Sequence, residues 1–429
     1  MWSVTNDKIS RRCLLVGSAA LPLGVSALAA TAADGPRWTV GVIGHTGRGN
    51  YGHGLDKVWL SLPEAKIVAV ADPNADGLGN AMQRLQVDSG YADYRDMLRK
   101  HTPQIVAICP RHPDQHRDMA LAAIQAGARG LYIEKPFCRN PAEADQILTA
   151  ADARDVKIAV AHRNRYLPEL ELVRDWIRDG RLGRVLEMRG RGKGDRRGGV
   201  EDLWVLGSHL LNLMHFLGGK PRSCAATILQ DDREITADDL QPGNEALGRM
   251  AGNRLHSRFL FQDGRVGYFD SIADDATDSE GFGLRVIGSE GVIDMKCDRF
   301  PFAYVQPGNP WDVRRPQRDW QPLLVIDADA AGRNSGESLR AAKQAFDDVM
   351  SHRAVAADLI NAMVHRTQPL CDGASAAMTI EMITAVMASH VAHGRATPIP
   401  LEDRGQPFDH WQNGGNSDHG GEGPAENQD

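Results

Sequence analysis

The sequence predicts an α/β protein in which an N-terminal parallel sheet, covered by helices on both faces, precedes an α+β domain with a largely antiparallel sheet. The chain has 429 residues, which is too long for one ordinary core and favours two domains. Short apolar runs alternate with helical patterns up to about residue 161, as in a doubly wound parallel sheet. Later strand-like runs are longer and are joined by turn sequences, which favours antiparallel pairing.

The first domain, residues 37–163, is predicted to contain strands that alternate with helices. The predicted strands are Thr39–Ile43, Lys66–Ala71, Gln104–Cys109, Leu131–Ile133 and Lys157–Ala161. The predicted helices are Leu55–Leu62, Gly77–Leu85, Asp114–Ala126 and Pro141–Ala153. Pro141 begins its helix and Gly127 follows the end of the previous one, as expected of helix termini.

The second domain, residues 164–403, is predicted to be a sheet with helices before and after it. Its predicted strands are Arg184–Arg191, Arg254–Phe261, Arg265–Ile272, Leu284–Ile287 and Val292–Lys296. Hairpin turns are indicated by "QDGR" from Gln262 and "GSEG" from Gly288. Its predicted helices are Glu169–Asp179, Ser338–Met350, Ala356–His365 and Ala374–His393. Residues 404–429 are polar and lack periodicity, so we expect a disordered tail.

The N-terminal 32 residues are typical of a twin-arginine signal peptide. Arg11 and Arg12 precede an apolar stretch from Leu14 to Ala30, which ends in small residues that suit a signal peptidase. The pattern predicts a periplasmic or extracellular protein whose signal peptide is cleaved. An ordinary secretory signal and an uncleaved membrane anchor are the alternatives. Twin-arginine export carries folded proteins, so a cofactor could be loaded before export.

Composition argues against several kinds of partner. The net charge of −7 is unsuited to general nucleic-acid binding. After residue 33 no apolar run looks long enough to cross a bilayer, so we expect no stable membrane span after processing. Cleavage would remove Cys13 and leave an odd number of cysteines without a Cys-x-x-Cys pair, which predicts buried thiols rather than a disulfide framework.

A glycine-rich segment after the first strand predicts a dinucleotide-binding (Rossmann) site. The segment comprises Gly44, His45, Thr46, Gly47, Arg48 and Gly49. Thr46 departs from the G-x-G-x-x-G pattern, but the segment lies between a strand and a predicted helix, where backbone amides and the helix dipole bind pyrophosphate. Asp72 ends the second strand, where a carboxylate binds the ribose hydroxyls and repels a 2′-phosphate. We therefore expect NAD rather than NADP, with a glycine-rich turn that binds no ligand as the alternative.

Further motifs occur in the order found in one family of oxidoreductases. They are "GVIGHTGRG", "VAVADP", "CPRHPDQH", "LYIEKPF", "AHRNRY" and "GSHLLNLMHFLGG". The chain resembles the Gfo/Idh/MocA family from about residue 38 to "RATPIPL", most strongly over the first 165 residues. The resemblance implies a Rossmann domain, a second domain with an open-faced sheet, and action on sugars or cyclitols. We also expect a homo-oligomer, and tightly bound NAD, because an exported enzyme cannot exchange cofactor freely.

The resemblance also implies a set of site residues. Lys135 of the Glu-Lys-Pro motif would lie beside the nicotinamide and the substrate hydroxyl, where the like charge of the oxidised ring lowers the lysine pKa. Glu134, His116 and Arg163 would line the cofactor cleft. The residues that we expect to contact substrate are Arg165, Tyr166, Lys193, Asp202, Trp204 and Asn212.

The second catalytic element of the family, Asp-x-x-x-His on one helix face, is incomplete here. His209 is present, but Val205 stands where the aspartate belongs, and Asn212 replaces another that is common in the family. Asp202 lies seven residues before His209, about 10 Å along a helix, so we interpret it as a helix cap or a sugar-hydroxyl acceptor. We predict that His209 is a catalytic base, with a core histidine satisfied by backbone as the alternative.

Two other features contain residue types that are common in binding sites. His112 and His116 are four residues apart, but Pro113 separates them and no third ligand is evident, so we predict no metal site. The basic, glycine-rich stretch from Arg189 to Gly199 is either a solvated loop or a lid over an anionic sugar such as a uronate. The cations of this stretch considered for that role are Arg191, Lys193, Arg196 and Arg197.

Three functions fit these observations. The first is an NAD-dependent sugar oxidoreductase that recycles a tightly bound cofactor by oxidising one substrate and reducing another. The second is a redox-neutral glycosidase that oxidises a sugar hydroxyl, eliminates the aglycone and returns the hydride. The third is a cofactor-bound carbohydrate sensor without turnover, which the missing aspartate permits.

Overall fold

The computed structural model describes residues 38–314, 319–325 and 335–412. The predicted signal peptide lies outside the described residues, and so does the part of the predicted tail from residue 413 onward. The described chain is built on a parallel sheet followed by a largely antiparallel one, which confirms the predicted fold class.

The first sheet is fully parallel. Its strands are β1 (Trp38–Ile43), β2 (Ala65–Ala71), β3 (Gly90–Tyr91), β4 (Ile105–Ile108), β5 (Gly130–Ile133) and β6 (Lys157–Val160). They lie in the order β3-β2-β1-β4-β5-β6, so the strand order reverses between β1 and β4. Every residue of β4, β5 and β6 is buried, which explains why these strands are nearly continuous apolar runs in the sequence. The edge strand β3 has only two residues, too few to produce a pattern.

Four helices connect consecutive strands of this sheet from β2 to β6. They are α1 (Ala75–Leu85), α2 (Tyr94–His101), α3 (His116–Gln125) and α4 (Pro141–Asp152). Asn74 caps α1 by accepting a hydrogen bond from the amide of Gly77 (2.8 Å), which satisfies a donor that the helix leaves free. The sequence prediction omitted α2, because its buried residues Met97 and Leu98 are adjacent and show no helical period.

The predicted helix Leu55–Leu62 is wrong. Between β1 and β2 the chain makes successive turns and contains only a 3₁₀ segment, Val58–Ser61. Gly52 and Gly54, just before the predicted range, have φ values of +60° and +98°, so no right-handed helix begins at these glycines. The glycine-rich segment is therefore not followed by an α-helix, and no helix dipole supports it from that side.

The second domain contains the larger sheet. Its strands are β7 (Val185–Arg191), β8 (Pro221–Gln230), β9 (Arg233–Glu234), β10 (Gln241–Pro242), β11 (Arg249–Met250), β12 (Arg254–Phe261), β13 (Val266–Ile272), β14 (Gly283–Gly288), β15 (Gly291–Lys296), β16 (Ala303–Pro307), β17 (Gln321–Leu323) and β18 (Thr397–Pro398). β10 pairs with β11 alone, and the others follow the order β17-β16-β15-β14-β7-β13-β12-β8-β18, with β9 beside β8. Only the pair β7–β13 is parallel within this sheet.

Some helices of the second domain pack on this sheet, and α9 packs on the first sheet. They are α5 (Pro168–Arg178), α6 (Val200–Asp202), α7 (Ser208–Gly218), α8 (Ser335–Met350), α9 (Arg353–His365) and α10 (Gly373–Val391). By length and composition α10 could cross a membrane, so the expectation that no such run follows residue 33 is wrong. However, 67% of this helix is buried inside the protein, as in the core helix of a globular fold.

The helix α9 completes the core of the first sheet. Its residues Val355, Leu359 and Met363 are buried in one apolar cluster with Val40 of β1 and Tyr132 of β5. The close fit depends on a glycine in β5, because a Cβ on Gly130 would lie 2.5 Å from the sulfur of Met363. The first domain is therefore finished by a segment that follows the second sheet.

The segment 404–412 is packed, which corrects the expected start of a disordered tail at residue 404. Arg404 forms ion pairs with Asp145 of α4 and Glu381 of α10. Phe408 is fully buried and stacks on Trp411, with ring centroids 5.6 Å apart. The polar composition of this segment did not predict the two contacts that hold it, the ion pairs of Arg404 and the stacking of Phe408 on Trp411.

Candidate active site

A cleft of about 190 Å³ opens at the carboxyl ends of β1 and β2. Open α/β sheets bind ligands at this edge, where the strand order reverses. The polar residues that line the cleft are His45, Asp72, Asp93, Tyr94, Arg95 and Gln115. Its position beside Asp72 fits the adenosine half of a dinucleotide.

Asp72 lies where the sequence predicts, but the glycine-rich segment already engages its carboxylate. It accepts hydrogen bonds from the amide of Thr46 (3.0 Å), the hydroxyl of Thr46 (2.7 Å) and the amide of Asn74 (2.9 Å). The side chain is fully buried. A carboxylate has about four acceptor positions, so few remain for a ribose in this conformation. Asp72 therefore holds the loop in place, a role that the sequence analysis did not assign to it.

The loop also uses its own amides. The amide of His45 donates to the carbonyl of Asn50 (3.1 Å), and the amide of Gly47 donates to the Asn50 side chain (3.0 Å). The amide of Thr46 donates to Asp72, so none of these three amides is free to bind pyrophosphate. The predicted phosphate cradle does not hold for these three amides in this conformation. Gly49 instead packs against the chain after β4, where a Cβ would lie 2.2 Å from the amide nitrogen of Arg111.

Side chains join the loop after β1 to the loop after β4. Arg48 forms an ion pair with Asp114, and Nδ1 of His45 lies 2.8 Å from Oε1 of Gln115. These contacts cross the point between β1 and β4 at which a dinucleotide passes over the sheet. Arg48 and His45 thus form part of the wall of the site.

A segment of the second domain continues this wall. We name residues 243–248, between β10 and β11, the strap. Glu245 of the strap lies 3.7 Å from Arg111 in an ion pair, and Asn244 donates to Glu201 of α6 (3.0 Å). The strap therefore links the second domain to the edge of the cofactor cleft.

His116 does not line the cleft as expected. Its ring is fully buried, with Nδ1 3.0 Å from the carbonyl of Pro136 and Nε2 2.7 Å from the carbonyl of Pro110. Burial lowers the pKa of His116 below the usual histidine value. The residue ties the loop after β4 to the Glu-Lys-Pro segment, and the sequence could not show this because both partners are backbone carbonyls.

Glu134 is fully buried and faces His53, whose Nδ1 lies 3.2 Å from Oε1. Burial raises the pKa of Glu134, but the hydrogen bond and charge of His53 and the charge of Lys135 lower it to about 2. The carboxylate therefore stays ionised and stabilises its neighbouring cations. This is a supporting role rather than the predicted cofactor contact.

Lys135 lies two residues beyond the end of β5 and is 5% exposed. Its Nζ donates a hydrogen bond to the main-chain carbonyl of Val205, 2.9 Å away. Burial lowers the pKa of Lys135, while the charges of Glu134, Glu245 and Asp298 raise it. A buried lysine whose pKa is lowered at this edge of the sheet is suited to proton transfer, as the sequence predicts.

His209 lies against a second histidine, His162. The rings are in edge-to-face contact, with centroids 5.3 Å apart and planes at 84°. Both residues are buried, and the Nδ1 atom of each has no hydrogen-bond partner in the described structure. Burial, and then the charge of Lys135, lowers the pKa of His209 well below the usual value. His209 is therefore neutral and able to accept a proton.

The chain that leads into His209 is not a regular α-helix. Residues Leu203–Gly207 form a π-helical turn between α6 and α7. Such turns are rare and occur frequently at functional sites. Val205 and His209 are therefore not spaced as on a regular α-helix, and the atom of Val205 that contacts Lys135 is its carbonyl oxygen.

Four of the expected substrate contacts are parts of the core. Arg165 donates to Oδ1 of Asn212 (3.1 Å), and the hydroxyl of Tyr166 donates to Asp358 (2.9 Å). Asn212 and Trp204 are also buried, at 0% and 1% exposure. Their polar side chains predicted a substrate site, but residues distant in sequence form hydrogen bonds with Arg165, Tyr166 and Asn212.

Asp202 and Arg163 also have protein partners. Asp202 accepts from the hydroxyl of Ser271 (2.5 Å) and the amide of Lys193 (3.2 Å), and it neither caps a helix nor faces open space. Burial raises the pKa of Asp202 to about 6. Arg163, expected in the cofactor cleft, pairs with Asp298 (3.2 Å) in the second domain. Both residues therefore position loops.

The cations of the basic stretch divide into two groups. Arg191 pairs with Asp275 (2.7 Å), and Arg197 pairs with Asp195. Lys193 and Arg196 have no ion pair in the part of the chain that the structure describes. Only these two cations could meet an anionic substrate without first breaking an ion pair. Over the same residues, the structure brings together no group of three or more metal-ligating side chains.

Comparison with known proteins identifies the first domain. Residues 38–162 match the model of the oxidoreductase family with an NAD-binding Rossmann fold, GFO_IDH_MocA. Over these residues the chain is similar to the Gfo/Idh/MocA family. The matched domain carries the glycine-rich segment, Asp72, Lys135 and His162, whereas His209 comes from the second domain.

Curated relatives match part of the chain. A levoglucosan dehydrogenase of Pseudarthrobacter phenanthrenivorans is 23% identical over 267 residues, 56% of this chain and 66% of the relative. A D-apiose dehydrogenase of Paraburkholderia graminis is 28% identical over 195 residues, 42% of this chain and 51% of the relative. The chain thus spans about half to two thirds of the length of these relatives.

Solved structures match both domains. An NAD-binding oxidoreductase from Klebsiella pneumoniae superposes with a TM-score of 0.65 at 21% identity, covering 86% of this chain and all of that chain. Levoglucosan dehydrogenase in complex with NADH and levoglucosan gives a TM-score of 0.63 at 17% identity, covering 85% of this chain and 100% of that chain. At this identity the likeness establishes the fold alone, a parallel nucleotide-binding sheet followed by the second sheet.

Several residues at this edge were not predicted from the sequence. Tyr94 and Arg95 line the cleft from a helix that was not predicted, and Glu245 reaches the site from a short loop of the second domain. His162 was within reach of sequence reasoning, because it follows the end of β6 as Lys135 follows the end of β5. A search for polar residues just beyond each predicted parallel strand would have found it.

Proposed function

We propose that the protein is an oxidoreductase that transfers a hydride between tightly bound NAD and a hydroxyl or carbonyl group of a sugar or cyclitol. The observation that carries the proposal is the buried Lys135 at the carboxyl end of β5, with His209 beside it and the nucleotide cleft on the same edge. NAD would supply the hydride acceptor in oxidation and the donor in reduction.

The residues divide the proton chemistry between them. His209 is neutral, so it accepts the proton of the substrate hydroxyl as the carbon loses its hydride and the C=O bond forms. The Nζ of Lys135 donates a hydrogen bond to the same oxygen and stabilises the charge that develops on it. The carbonyl of Val205 fixes the direction of that ammonium. In reduction, the same proton returns from His209 to the oxygen.

We also propose the finer properties that the sequence favours. These are export through the twin-arginine route, a preference for NAD over NADP, and recycling of the cofactor between two sugar substrates. A homo-oligomer is proposed because β12 and β13 alternate buried residues with residues that are exposed or half-buried, which leaves one face of the second sheet uncovered. Sedimentation of the purified protein tests the last point.

The first experiment identifies the nucleotide. Protein purified from its native host is denatured, and the released compound is identified by mass and absorbance. NAD or NADH at one equivalent supports the proposal, and the absence of any dinucleotide contradicts it. Bleaching of bound NADH by a panel of sugar carbonyls then defines the substrate, and the products separate two altered sugars from a released aglycone or from no reaction.

The second experiment tests Lys135. Lys135→Met should lower single-turnover hydride transfer by roughly 10²–10³-fold, the usual cost of removing one hydrogen-bond donor that stabilises developing negative charge, while NADH still binds. Lys66→Met, at an exposed lysine of β2, is the matched control. Unchanged hydride transfer in Lys135→Met would contradict the assigned role.

A further inference from the structure

The polar side chains of Lys135, His162 and His209 lie at the same edge of the first sheet. Ile133 and Val160 are register partners in the parallel pair β5–β6. Lys135 and His162 each lie two residues beyond these partners, so the two neighbouring strands deliver them to equivalent positions. His209 approaches from α7 and touches the ring of His162. A third polar residue, to which the sequence assigns no role, therefore lies beside the catalytic pair of the proposed function.

His162 is buried without a structural partner. The residue is 2% exposed, and its Nδ1 makes no hydrogen bond in the described structure, as is also true of Nδ1 of His209. Leaving a buried polar atom unpaired costs about 1–3 kcal/mol, so such atoms in a folded protein usually mark a missing ligand or water. Two of them on rings in direct contact mark one shared binding place.

The donors and acceptors of this place select the chemistry of its ligand. The ammonium of Lys135 only donates hydrogen bonds, whereas each neutral imidazole has one donor and one acceptor. A carboxylate only accepts, so it would leave both imidazole acceptors unmatched. A hydroxyl does both, so each of the two contacting rings can bind one hydroxyl of a pair on adjacent carbons.

We propose that His162 is a specificity-determining residue that binds the hydroxyl adjacent to the reacting one, so that the site requires a vicinal diol. The proposal rests on the proposed function, in which Lys135 and His209 hold the reacting hydroxyl. His162 then fixes the second oxygen and thereby the orientation of the carbon that loses its hydride. It binds substrate and does not take part in the proton transfer.

The test compares trans-1,2-cyclohexanediol with cyclohexanol, which differ by one hydroxyl and leave no ambiguity about its position. Reduction of bound NAD is followed by absorbance in the wild type, in His162→Phe and in His162→Asn. The phenylalanine keeps an aromatic ring against His209 without its nitrogens, and the asparagine keeps a hydrogen-bonding group. His256→Phe, on the exposed face of β12, is the matched control.

We expect the wild type to prefer the diol. His162→Phe should lower the second-order rate constant for single-turnover reduction of bound NAD by the diol by roughly 10–100-fold and leave the constant for cyclohexanol unchanged. His162→Asn should keep much of the preference, and His256→Phe all of it. Equal losses for both alcohols, or a preference that survives in His162→Phe, would overturn the proposal, since a merely structural histidine or a trapped water predicts those results.

A titration of NADH fluorescence separates this proposal from the proposed function. All variants should bind NADH as the wild type does, because His162 is assigned to substrate alone. If the wild type binds NADH but oxidises cyclohexanol as fast as the diol, the role of His162 is overturned and the oxidoreductase stands. If the wild type oxidises neither alcohol nor any sugar of the panel, both proposals fail.

Discussion

The ammonium of Lys135 donates a hydrogen bond to the main-chain carbonyl of Val205, four residues before His209. Position 205, where the family pattern has an aspartate, thus contributes a neutral main-chain carbonyl to the site. The three carboxylates whose charges act on Lys135 pair with other residues. Glu134 pairs with His53, Glu245 with Arg111 and Asp298 with Arg163. No carboxylate pairs with His209 among the described residues, and burial beside Lys135 keeps this histidine neutral.

Val205→Asp should make hydride transfer depend on pH where the wild type does not. A carboxylate at this position would raise the lowered pKa of His209, so the histidine would be protonated at low pH and lost as a base. The rate of NAD reduction in Val205→Asp should therefore fall as pH decreases toward 5, whereas the wild-type rate should show no such limb from His209. Single-turnover absorbance across pH measures both. Val205→Asn is the uncharged control, and a flat profile in Val205→Asp would show that this side chain does not face His209.

Thr46→Val and Asp72→Ala should separate the two roles of Asp72. Thr46→Val removes one hydrogen bond to a buried carboxylate, typically worth about 1.5–3 kcal/mol, so the loop should loosen and the NADH dissociation constant should rise by roughly 10–100-fold. The ratio of NADH to NADPH affinity should stay the same, because the carboxylate is still present. Asp72→Ala should weaken binding at least as much and also shift the ratio toward NADPH. Equal ratios in all three proteins would remove Asp72 from cofactor discrimination.

Glu245→Gln should accelerate release of the cofactor. The ion pair between Glu245 and Arg111 joins the strap to the wall of the cleft, and partly exposed pairs of this kind are worth up to about 1 kcal/mol. Stopped-flow displacement should show NADH dissociating up to about fivefold faster. Salt should accelerate dissociation from the wild type but affect the variant less. Glu402→Gln, at an exposed residue, is the control. Identical dissociation rates would mean that the strap does not gate the cofactor.

Asp202→Asn should stabilise the fold increasingly as pH rises. Burial raises the pKa of Asp202 to about 6 in the folded state, from 3.8 in the unfolded chain. The folded state therefore binds this proton more tightly, and the resulting stability is present below pH 4 and lost as pH rises through about 6. A shift of about two pKa units corresponds to about 3 kcal/mol at most. Urea unfolding at pH 4.5 and 7.5 should show that the free energy of unfolding of the variant, relative to that of the wild type, is larger at the higher pH. Asp88→Asn, at an exposed aspartate, should show no such gain.

The sequence predicted the strands of the first sheet well because these strands are buried on both faces. Burial makes β4 to β6 short apolar runs that no other local structure explains. The same logic failed after β1, where an apolar run suggested a helix. Two glycines with positive φ turn the chain there, and their effect depends on backbone angles that a pattern of apolar residues does not record.

Residue types in the sequence predicted where the site lies, but not which side chains contact each other. Lys135 and His209 were predicted and lie in one place. Arg165 and Tyr166 looked equally suited to a ligand, yet Asn212 and Asp358 satisfy them from helices that are distant in sequence. Whether a polar side chain is free for substrate is a property of the tertiary contacts. The orphaned nitrogens of His162 and His209 could therefore be found only in the structure.

The return of α9 to the first sheet has a consequence for how the chain is made. A nascent chain that has just completed β6 still lacks Val355, Leu359 and Met363, so Val40 and Tyr132 have no cover on that side. The cofactor domain cannot reach its final packing on the ribosome until synthesis has passed residue 365. Excising residues 38–162 as a separate module should therefore give an aggregating fragment, and the intact protein should melt in one transition, without a separate melting step for the cofactor domain.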